Sequence, residues 1–479
     1  MVSPRIAPGE LSRLLAGWRS APGAGYRALA TALARAVRDG RLTVGTRLPS
    51  ERELASLVGA SRTTVTSAYA ELRRTGYLES RRGSGSYAAL PRSAPAPALW
   101  THGLVELDAP APVDLTCAAL RAPAILLEAV EEAVTRLPGY LGFRGYDPLG
   151  LPVLRRAIAA RYTAMGLATT PAEILVTSGA MHALDLCLDH YGRAGSRIVV
   201  DSPGFPPAAA AARAHGYVAV PVGVDVEHGF DVDAIVGAIR LSRPRVVYAI
   251  ADFQNPTGHV LEAPDRTTLV AAAEEEGAVV LADESFRDLR LDRDLPPALA
   301  SYARRPDSVL SIGSLSKPVW GGCRVGWVRG PASVVRELAA LRSRIDISSP
   351  VLDQLVGVAL LDRLDELLAD RVEELAAARD ALLAALGARA PGWRFTKPAG
   401  GLCLWVELDA PVSSALAAVA ARDGVGIVPG TAFTGDATGE RFLRIPFSCS
   451  PAELVEAVDR LVEARGRVGA RVGQPFVLT

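Results

Sequence analysis

Lysine is nearly absent from this 479-residue chain: Lys317 and Lys397 stand against 50 arginines. Cysteine is scarce as well, and the five (Cys117, Cys187, Cys323, Cys403, Cys449) are scattered, with no CxxC pair and no histidine at ligand spacing. That pattern excludes a disulfide framework and a metal site, and predicts buried thiols in a reducing compartment. No run of about 18 uncharged apolar residues occurs, which excludes a membrane-spanning helix. The first residues carry Arg5 and Arg13 but no apolar signal-peptide core, so the expectation is a soluble, cytoplasmic protein. Net charge is also missing, since 52 basic residues balance 52 acidic ones. Internal repeats are absent. With 49% hydrophobic residues, disorder is excluded too, and the length suggests about two to four domains.

The zero charge hides a segregation. Residues 1–90 hold 14 arginines, no lysine and six acids (Glu10, Asp39, Glu51, Glu53, Glu71, Glu79), a net charge of +8. The rest of the chain therefore carries −8. A basic head on a mildly acidic body is the electrostatic footprint of a nucleic-acid-binding module joined to something else.

The head has the punctuation of a small helical unit. Over residues 26–39, Leu29, Ala30, Leu33 and Val37 share one helical stripe, and Gly40 stops the helix. Ser50 and Glu53 form a capping box that opens a second helix carrying Leu54, Leu57 and Val58. Gly59-Ala60 makes a tight turn, and Ser61 caps a third helix with Val65, Ala68, Tyr69 and Leu72 at i, i+3, i+4, i+7. Strand-like runs 77–82 and 86–87 flank Gly83-Ser84-Gly85, which predicts a two-stranded wing. A helix that enters the major groove needs a small polar first turn and a long donor for base edges. Arg62, Thr63 and Thr64 supply that set, and Arg52 reaches from the preceding helix. The run RLPSERELASLVGASRTTVTSAYAELRRTGYLESRRGSGSY, within residues 26–87, resembles the winged helix-turn-helix of GntR-family bacterial repressors. The resemblance implies contacts to double-stranded operator DNA from Arg52, Arg62, Thr63, Thr64 and the wing tip at Gly83.

Residues 91–112 are Pro/Ala-rich and read as a semi-rigid linker. From 113 to 467 apolar strands alternate with Ala-rich helical segments, and 468–479 read as a tail. The strands ILVTS, RIVVDSP, YVAVPV, RVVYAIA, GAVVLAD, SVLSIGS and RVGWVRG each end in polar, Gly or Pro residues. This alternation predicts an α/β body with a mostly parallel central sheet. A smaller C-terminal α+β subdomain follows, over about 351–467, with a helix at 353–387 and strands near 402–407 and 442–447. Ligands of such sheets gather beyond the carboxyl ends of the strands.

One of the two lysines stands there. Lys317 follows a strand in Ser314-Leu315-Ser316-Lys317, with Arg324 seven residues on. Arginine cannot form a Schiff base or lose its proton near neutral pH, so a chain that otherwise uses arginine keeps lysine where a compact amine is needed. Ser178-Gly179-Ala180 ends another strand and opens a helix, offering free N–H groups to a phosphate. Asn255 sits on the rigid turn of NPTG, and Asp283 ends a strand where an acid can keep a heterocyclic nitrogen protonated. Lys317, Asp283, Asn255, Arg324 and the helix start are the parts that hold pyridoxal 5′-phosphate.

From 113 to 467 the motifs YDPLG, TSGAMHALDL, DSPGFP, NPTG, LADESF, SLSK, CRVGW, PAGGLCLW, VGIVPGTAF and FLRIPF resemble the fold-type I aspartate-aminotransferase superfamily. The resemblance implies a Schiff base on Lys317, an Asp283 pair to the pyridine nitrogen and an Asn255 bond to the ring hydroxyl. Phe205 would stack on the ring. Ser178, Gly179, Ala180, Ser314 and Arg324 would hold the phosphate, with Tyr146 reaching the phosphate of a partner subunit. Arg444 would clamp a carboxylate bidentately. Ser285 and Phe286 depart from the pattern, standing where aminotransferases place a tyrosine on the ring hydroxyl.

A GntR-like head on such a body is similar to the MocR subfamily of bacterial transcription regulators. The resemblance implies a homodimeric, DNA-binding regulator that senses pyridoxal phosphate or a small amine or amino-acid effector. The competing expectation is a catalytically active aminotransferase with an appended head.

Overall fold

The computed structural model describes residues 11–12, 14–15, 18, 25–38, 42, 46–81, 85–88 and 113–472. Two compact units divide the chain, Met1–Leu104 and Val105–Thr479. Gly40, the wing tip with Gly83, the linker and the last residues of the tail lie outside the described residues.

In the first unit, α1 (Gly25–Arg38), α2 (Glu51–Val58) and α3 (Arg62–Arg74) precede the hairpin of β1 (Leu78–Arg81) and β2 (Gly85–Ala88). The local chemistry sets each boundary. Ser50 N–H donates to Glu53 Oε2 at 2.8 Å and Glu53 N–H to Ser50 Oγ at 3.3 Å, the reciprocal capping box. Gly59 takes the left-handed conformation (φ 62°) that ends α2, and Ser61 Oγ accepts from Thr64 N–H at 3.0 Å to start α3. Leu29, Leu33, Leu54, Val65, Tyr69 and Leu72 fill the core. Tyr69 satisfies its buried hydroxyl by donating to Pro49 O at 2.8 Å. The wing pairs antiparallel, with Leu78 opposite Ala88 and Arg81 opposite Gly85.

The second unit is built on an eight-stranded sheet. Its strands are β4 (Ile174–Thr177), β5 (Arg197–Ser202), β6 (Val218–Asp225), β7 (Gly229–Phe230), β8 (Val246–Ala249), β9 (Val279–Asp283), β10 (Val309–Ser314) and β11 (Gly326–Arg329), in the order β4-β11-β10-β9-β8-β5-β6-β7. The central strands β10, β9, β8, β5 and β6 run parallel. β11 runs antiparallel to both its neighbours. The connection from β10 to β11, residues 315–325, carries Lys317 and contains no α-helix. A parallel return needs a crossover of a dozen or more residues, so the chain comes back antiparallel with the lysine near the bend. Apolar side chains fill both faces of the sheet in two clusters, which fits its near-continuous apolar strands.

The C-terminal sheet gathers β12 (Arg394–Phe395), β13 (Cys403–Glu407), β14 (Val425–Pro429) and β15 (Phe442–Pro446). Its fifth strand corrects the expected boundary: β3 (Val113–Leu115) pairs parallel with β14 rather than joining the central sheet. The helix expected at 353–387 is two helices, Val351–Asp362 and Leu364–Arg389, broken at Arg363. The last helix, Pro451–Val472, runs past residue 467 into the stretch read as a tail. Among the described residues no helix is long and apolar enough to cross a membrane. Cys187, Cys323 and Cys403 are buried, while Cys117 and Cys449 are half-buried where full burial was expected.

Candidate cofactor site

The carboxyl ends of β4, β8, β9 and β10 converge with β3 and β15 on one region of the body. Lys317 Nζ donates to Ala118 O at 2.8 Å and lies 5.6 Å from the centre of the Phe286 ring. Burial pulls its ammonium below the ordinary lysine range, Arg444 adds to that shift, and Cys117, Cys403 and Asp283 oppose it. A desolvated amine of this kind is available as a nucleophile. Phe286 therefore brings an apolar ring to the lysine where a phenol was expected of an aminotransferase.

Asp283 closes β9. Its Oδ2 accepts from Tyr248 OH at 2.7 Å and its Oδ1 from Ser285 N–H at 3.0 Å. No basic side chain among the described residues forms an ion pair with it. Burial and the Asp283 carboxylate push the Tyr248 phenol far above its usual range, so it stays a donor. Two donors fix the orientation of Asp283, which suits an acid that must face a ring nitrogen. Tyr248 was not anticipated. Its signal is a tyrosine inside a central apolar strand, where the hydroxyl must find a partner.

Asn255 is buried, with Cys403 Sγ 3.9 Å from its Oδ1. The loop that carries it is held from below. Gln254 Nε2 donates to Pro203 O at 2.8 Å, and Gln254 Oε1 accepts from Thr257 N–H and Oγ1. Asp252 is buried between Arg266 and Arg287. Phe253 adopts a left-handed φ of 54° and packs on Gly400 and Gly401, where a Cβ would fall 2.3 Å and 2.9 Å from its side chain.

At the end of β4 the backbone turns through Gly179 (φ 105°) into α4 (Ala180–Tyr191). A Cβ on Gly179 would fall 2.7 Å from Arg324 Nη2, and that nitrogen donates to Ser178 O at 2.6 Å. Ser178, Gly179, Ala180 and Arg324 thus form one cradle with a helix N-terminus and a guanidinium. Ser314 Oγ lies 2.7 Å from Ser316 Oγ, a second hydroxyl that the sequence reading passed over.

The remaining expected residues fall differently. Arg444, 2% exposed, bonds Thr116 O, sits 5.0 Å over the Phe433 ring and leaves its buried Nε without a partner. Phe205 is half-buried at the start of the helix Pro206–Ala214. Tyr146 is 72% exposed and is not part of this gathering within its own chain. On the head, Arg52, Arg62 and Thr63 are exposed at the front of α2 and α3. Thr64 is half-buried and its hydroxyl lies 2.8 Å from Ser61 Oγ, so it also serves the cap. Thr66 donates to Glu51 Oε2 at 2.7 Å, tying α3 to α2.

Comparison with known proteins decides what this arrangement belongs to. The family described as aminotransferase class I and II matches residues 125–461. The chain belongs to that family. Bacterial regulatory proteins of the gntR family match residues 25–87. The 2-aminoadipate transaminase of Thermus thermophilus is 32% identical over 355 residues, covering 72% of this chain and 85% of the relative. The HTH-type transcriptional regulator TauR of Rhodobacter capsulatus is 28% identical over 463 residues, covering 89% of this chain and 94% of that one. Among solved structures, LysN, the alpha-aminoadipate aminotransferase of T. thermophilus bound to N-(5′-phosphopyridoxyl)-L-leucine, superposes with a TM-score of 0.69 at 29% identity, over 75% of this chain and 93% of LysN. A gntR-type DNA-binding head on an aminotransferase-like body is the MocR arrangement, and its cofactor is pyridoxal 5′-phosphate. The aminotransferase body has the features this cofactor asks for: a glycine cradle that a Cβ would fill, an acid without a basic partner, and a desolvated amine.

Proposed function

We propose that this MocR-type protein is a transcription regulator whose body senses pyridoxal 5′-phosphate, or an amine or amino acid that reacts with it, and so changes how its heads engage operator DNA. The observation that carries this reading is one chain holding both a +8 head, with Arg52, Arg62 and Thr63 exposed at the front of the recognition unit, and a half-buried, desolvated Lys317 near Asp283. When bound, the cofactor supplies an aldehyde for an amine and an electron-withdrawing ring. Lys317 presents the amine, Asp283 holds the proton at the ring nitrogen, and Asn255 bonds the ring hydroxyl. Ser178, Gly179, Ala180, Ser314 and Arg324 take the phosphate, and Phe205 covers the ring. The unpartnered Nε of Arg444 favours an effector that bears a carboxylate.

A homodimer goes with this reading. Leu127 (73% exposed), Val134, Leu141, Phe143 (75%) and Tyr146 cluster within a short stretch of sequence. Exposed apolar residues concentrated in this way mark an interaction face. Tyr146 would there reach the phosphate of the partner subunit.

An absorbance titration of the holoprotein with amines and amino acids, with and without operator DNA, tests the proposal. Lys317→Ala should lose the visible band of lysine-bound cofactor. A variant that keeps the band, or a wild type whose DNA binding ignores every effector, refutes it. The complete set of Lys317, Asp283 and Arg444 supports a second reading as a working aminotransferase. Repeated turnover with a 2-oxo acid, at about 1 s⁻¹ or faster, would decide for that enzyme.

A further inference from the structure

The phosphate cradle contains a histidine that accepts where its neighbours donate. Ser178 N–H donates to His182 Nδ1 at 3.1 Å, from the first turn of α4. An imidazole nitrogen that accepts carries no proton, so the ring is neutral and its one proton sits on Nε2. That Nε2 is buried and has no partner among the described residues. A buried donor left unpaired works against the fold, so holding Ser178 in this way comes at the expense of stability. His182 Nδ1 also lies 3.7 Å from Asp346 Oδ2, the oxygen that Ser178 Oγ approaches at 3.4 Å.

Four charged groups act on the ring. Burial holds the imidazole below its ordinary range; Asp346 and Asp185 pull it up, while Arg342 and Arg324 add to the effect of burial. Asp185 belongs to α4 itself, Arg342 and Asp346 to the end of the helix Ala332–Arg342 and the residues after it, and Arg324 to the β10–β11 connection. Protonation has a fixed geometric consequence. Nδ1 cannot both carry a proton and accept from Ser178 N–H, so the ring must exchange that bond for the Asp346 carboxylate. The Ser178 amide is then open to an anion, and a positive charge lies one turn along α4 from it. An anion in the cradle favours this state in return, because it pairs with Arg324, one of the two charges that oppose protonation.

We propose that His182 is a positioning residue that makes the grip on the cofactor phosphate proton-dependent, tightening it as the imidazole takes up a proton. The inference rests on the reading of Ser178, Gly179 and Arg324 as phosphate ligands. By linkage, phosphate raises the proton affinity of the ring by the same factor as the proton raises phosphate affinity. The ring therefore titrates at higher pH in the bound protein than in the free one. Affinity is flat above the bound value, rises as pH falls between the two values, and is flat again below the free one.

Fluorescence titrations of the full chain at about pH 8 and about pH 5.5 test it, with pyridoxal 5′-phosphate and with pyridoxal, which lacks the phosphate. His182→Asn offers Ser178 a neutral amide oxygen in place of Nδ1 and cannot titrate; His182→Gln serves if that variant does not fold. Titration of the phosphate itself, of Lys317 and of Asp346 is common to both proteins and cancels in their ratio. Between the two pH values the wild type should gain about fivefold in affinity for pyridoxal phosphate relative to the variant, the low end of usual coupling. For pyridoxal the ratio should stay constant. In NMR of the histidine rings, one imidazole should titrate at higher pH when pyridoxal phosphate is bound, and its signal should be missing from the variant. A pyridoxal phosphate ratio constant to within about twofold, or histidine titrations that ignore the cofactor, overturns the role of His182 alone. Equal affinity for pyridoxal and pyridoxal phosphate at both pH values overturns the cradle, and this inference with it.

Discussion

Glu284, the neighbour of Asp283, is a half-buried acid whose charge the fold resists. Its Oε2 accepts from Tyr162 OH at 2.8 Å and its Oε1 from Ser311 Oγ at 3.0 Å, while Trp327 Nε1 donates to Tyr162 OH at 3.0 Å. Burial pushes its carboxyl up to about 7; Arg287 pulls it down and Asp252 pushes it up again. An acid whose folded value lies above its unfolded one holds its proton longer in the native state. Between the two values the folded chain binds more protons, so stability falls as pH rises from the ordinary glutamate range to about 7, and is flat above it. A rise of this size corresponds to a cost of about 3 kcal/mol at pH 8, of which only about 1 kcal/mol is already present at pH 5.

Glu284→Gln removes the charge and keeps the shape. Tyr162 can still donate to the amide oxygen, and the Ser311 hydroxyl can turn to accept from the amide nitrogen. In urea unfolding of the cofactor-free chain, followed by tryptophan fluorescence, the variant should therefore gain on the wild type by roughly 2–3 kcal/mol between pH 5 and pH 8. Asp201, pushed up to about 7 by burial, contributes the same slope to both proteins and cancels in the comparison. A variant equally destabilised at both pH values would refute the reasoning. It would mean that Glu284 is ionised in the native state and that its attraction to Arg287 outweighs burial.

Three other substitutions test the parts separately. Gly179→Ala places a Cβ 2.7 Å from Arg324 Nη2 at a left-handed φ, a strain of about 1–3 kcal/mol; cofactor affinity in a fluorescence titration should drop at least about tenfold, and an unchanged value would remove Gly179 from the cradle. Arg62→Ala should weaken operator binding and, if Arg62 neutralises a phosphate, lower the salt slope by about 1, whereas lost sequence discrimination at an unchanged slope identifies a base contact. Ser50→Ala breaks the capping box of α2 and should lower the thermal stability of the head by about 1 kcal/mol, measured by calorimetry.

The head was legible because its signals are local. Ser50, Glu53, Gly59 and Ser61 each act within a few residues of themselves, and α2 begins and ends, and α3 begins, where those residues dictate. The strand ends of the body were legible for a similar reason, since apolar runs and their polar stops are read directly. What could not be read was long-range. Nothing in Val113–Leu115 announces that it pairs with β14, more than 300 residues on. The apolar run of β11 has no direction until the length of the Lys317 turn is weighed against a crossover. Periodicity alone carried one helix through Arg363, where the chain breaks it into two. The supports of the candidate site were hidden because buried polar side chains look like surface residues in sequence. Tyr248 and Glu284 are explained only by partners on other strands or helices, and Gln254 by Pro203 O on a distant loop as well as by its own turn.

The arginine-for-lysine composition acquires a structural reason in the body. Arg266 donates to Leu261 O, Ala251 O, Pro297 O and Asp252, and so braces the loop that ends in Asn255. Arg342 braces the strand that ends just before Ser178, and Arg379 binds Pro398 O and both oxygens of Asp292. A guanidinium with five fixed donors can satisfy several buried carbonyls and a carboxylate together, which an ammonium with three cannot. Lys317 is the opposite case. It makes one bond, to Ala118 O, and a second partner is what its chemistry leaves room for. Exchanging the two residue types should therefore have opposite effects. Arg266→Lys should lower stability by about 3 kcal/mol, since it strands buried carbonyls and half of the Asp252 pairing, and should keep the visible cofactor band at saturating pyridoxal phosphate. Lys317→Arg should abolish that band, because a guanidinium cannot form the Schiff base. If Arg266→Lys is as stable as the wild type, or if Lys317→Arg keeps the band, then composition and not chemistry placed these two residues.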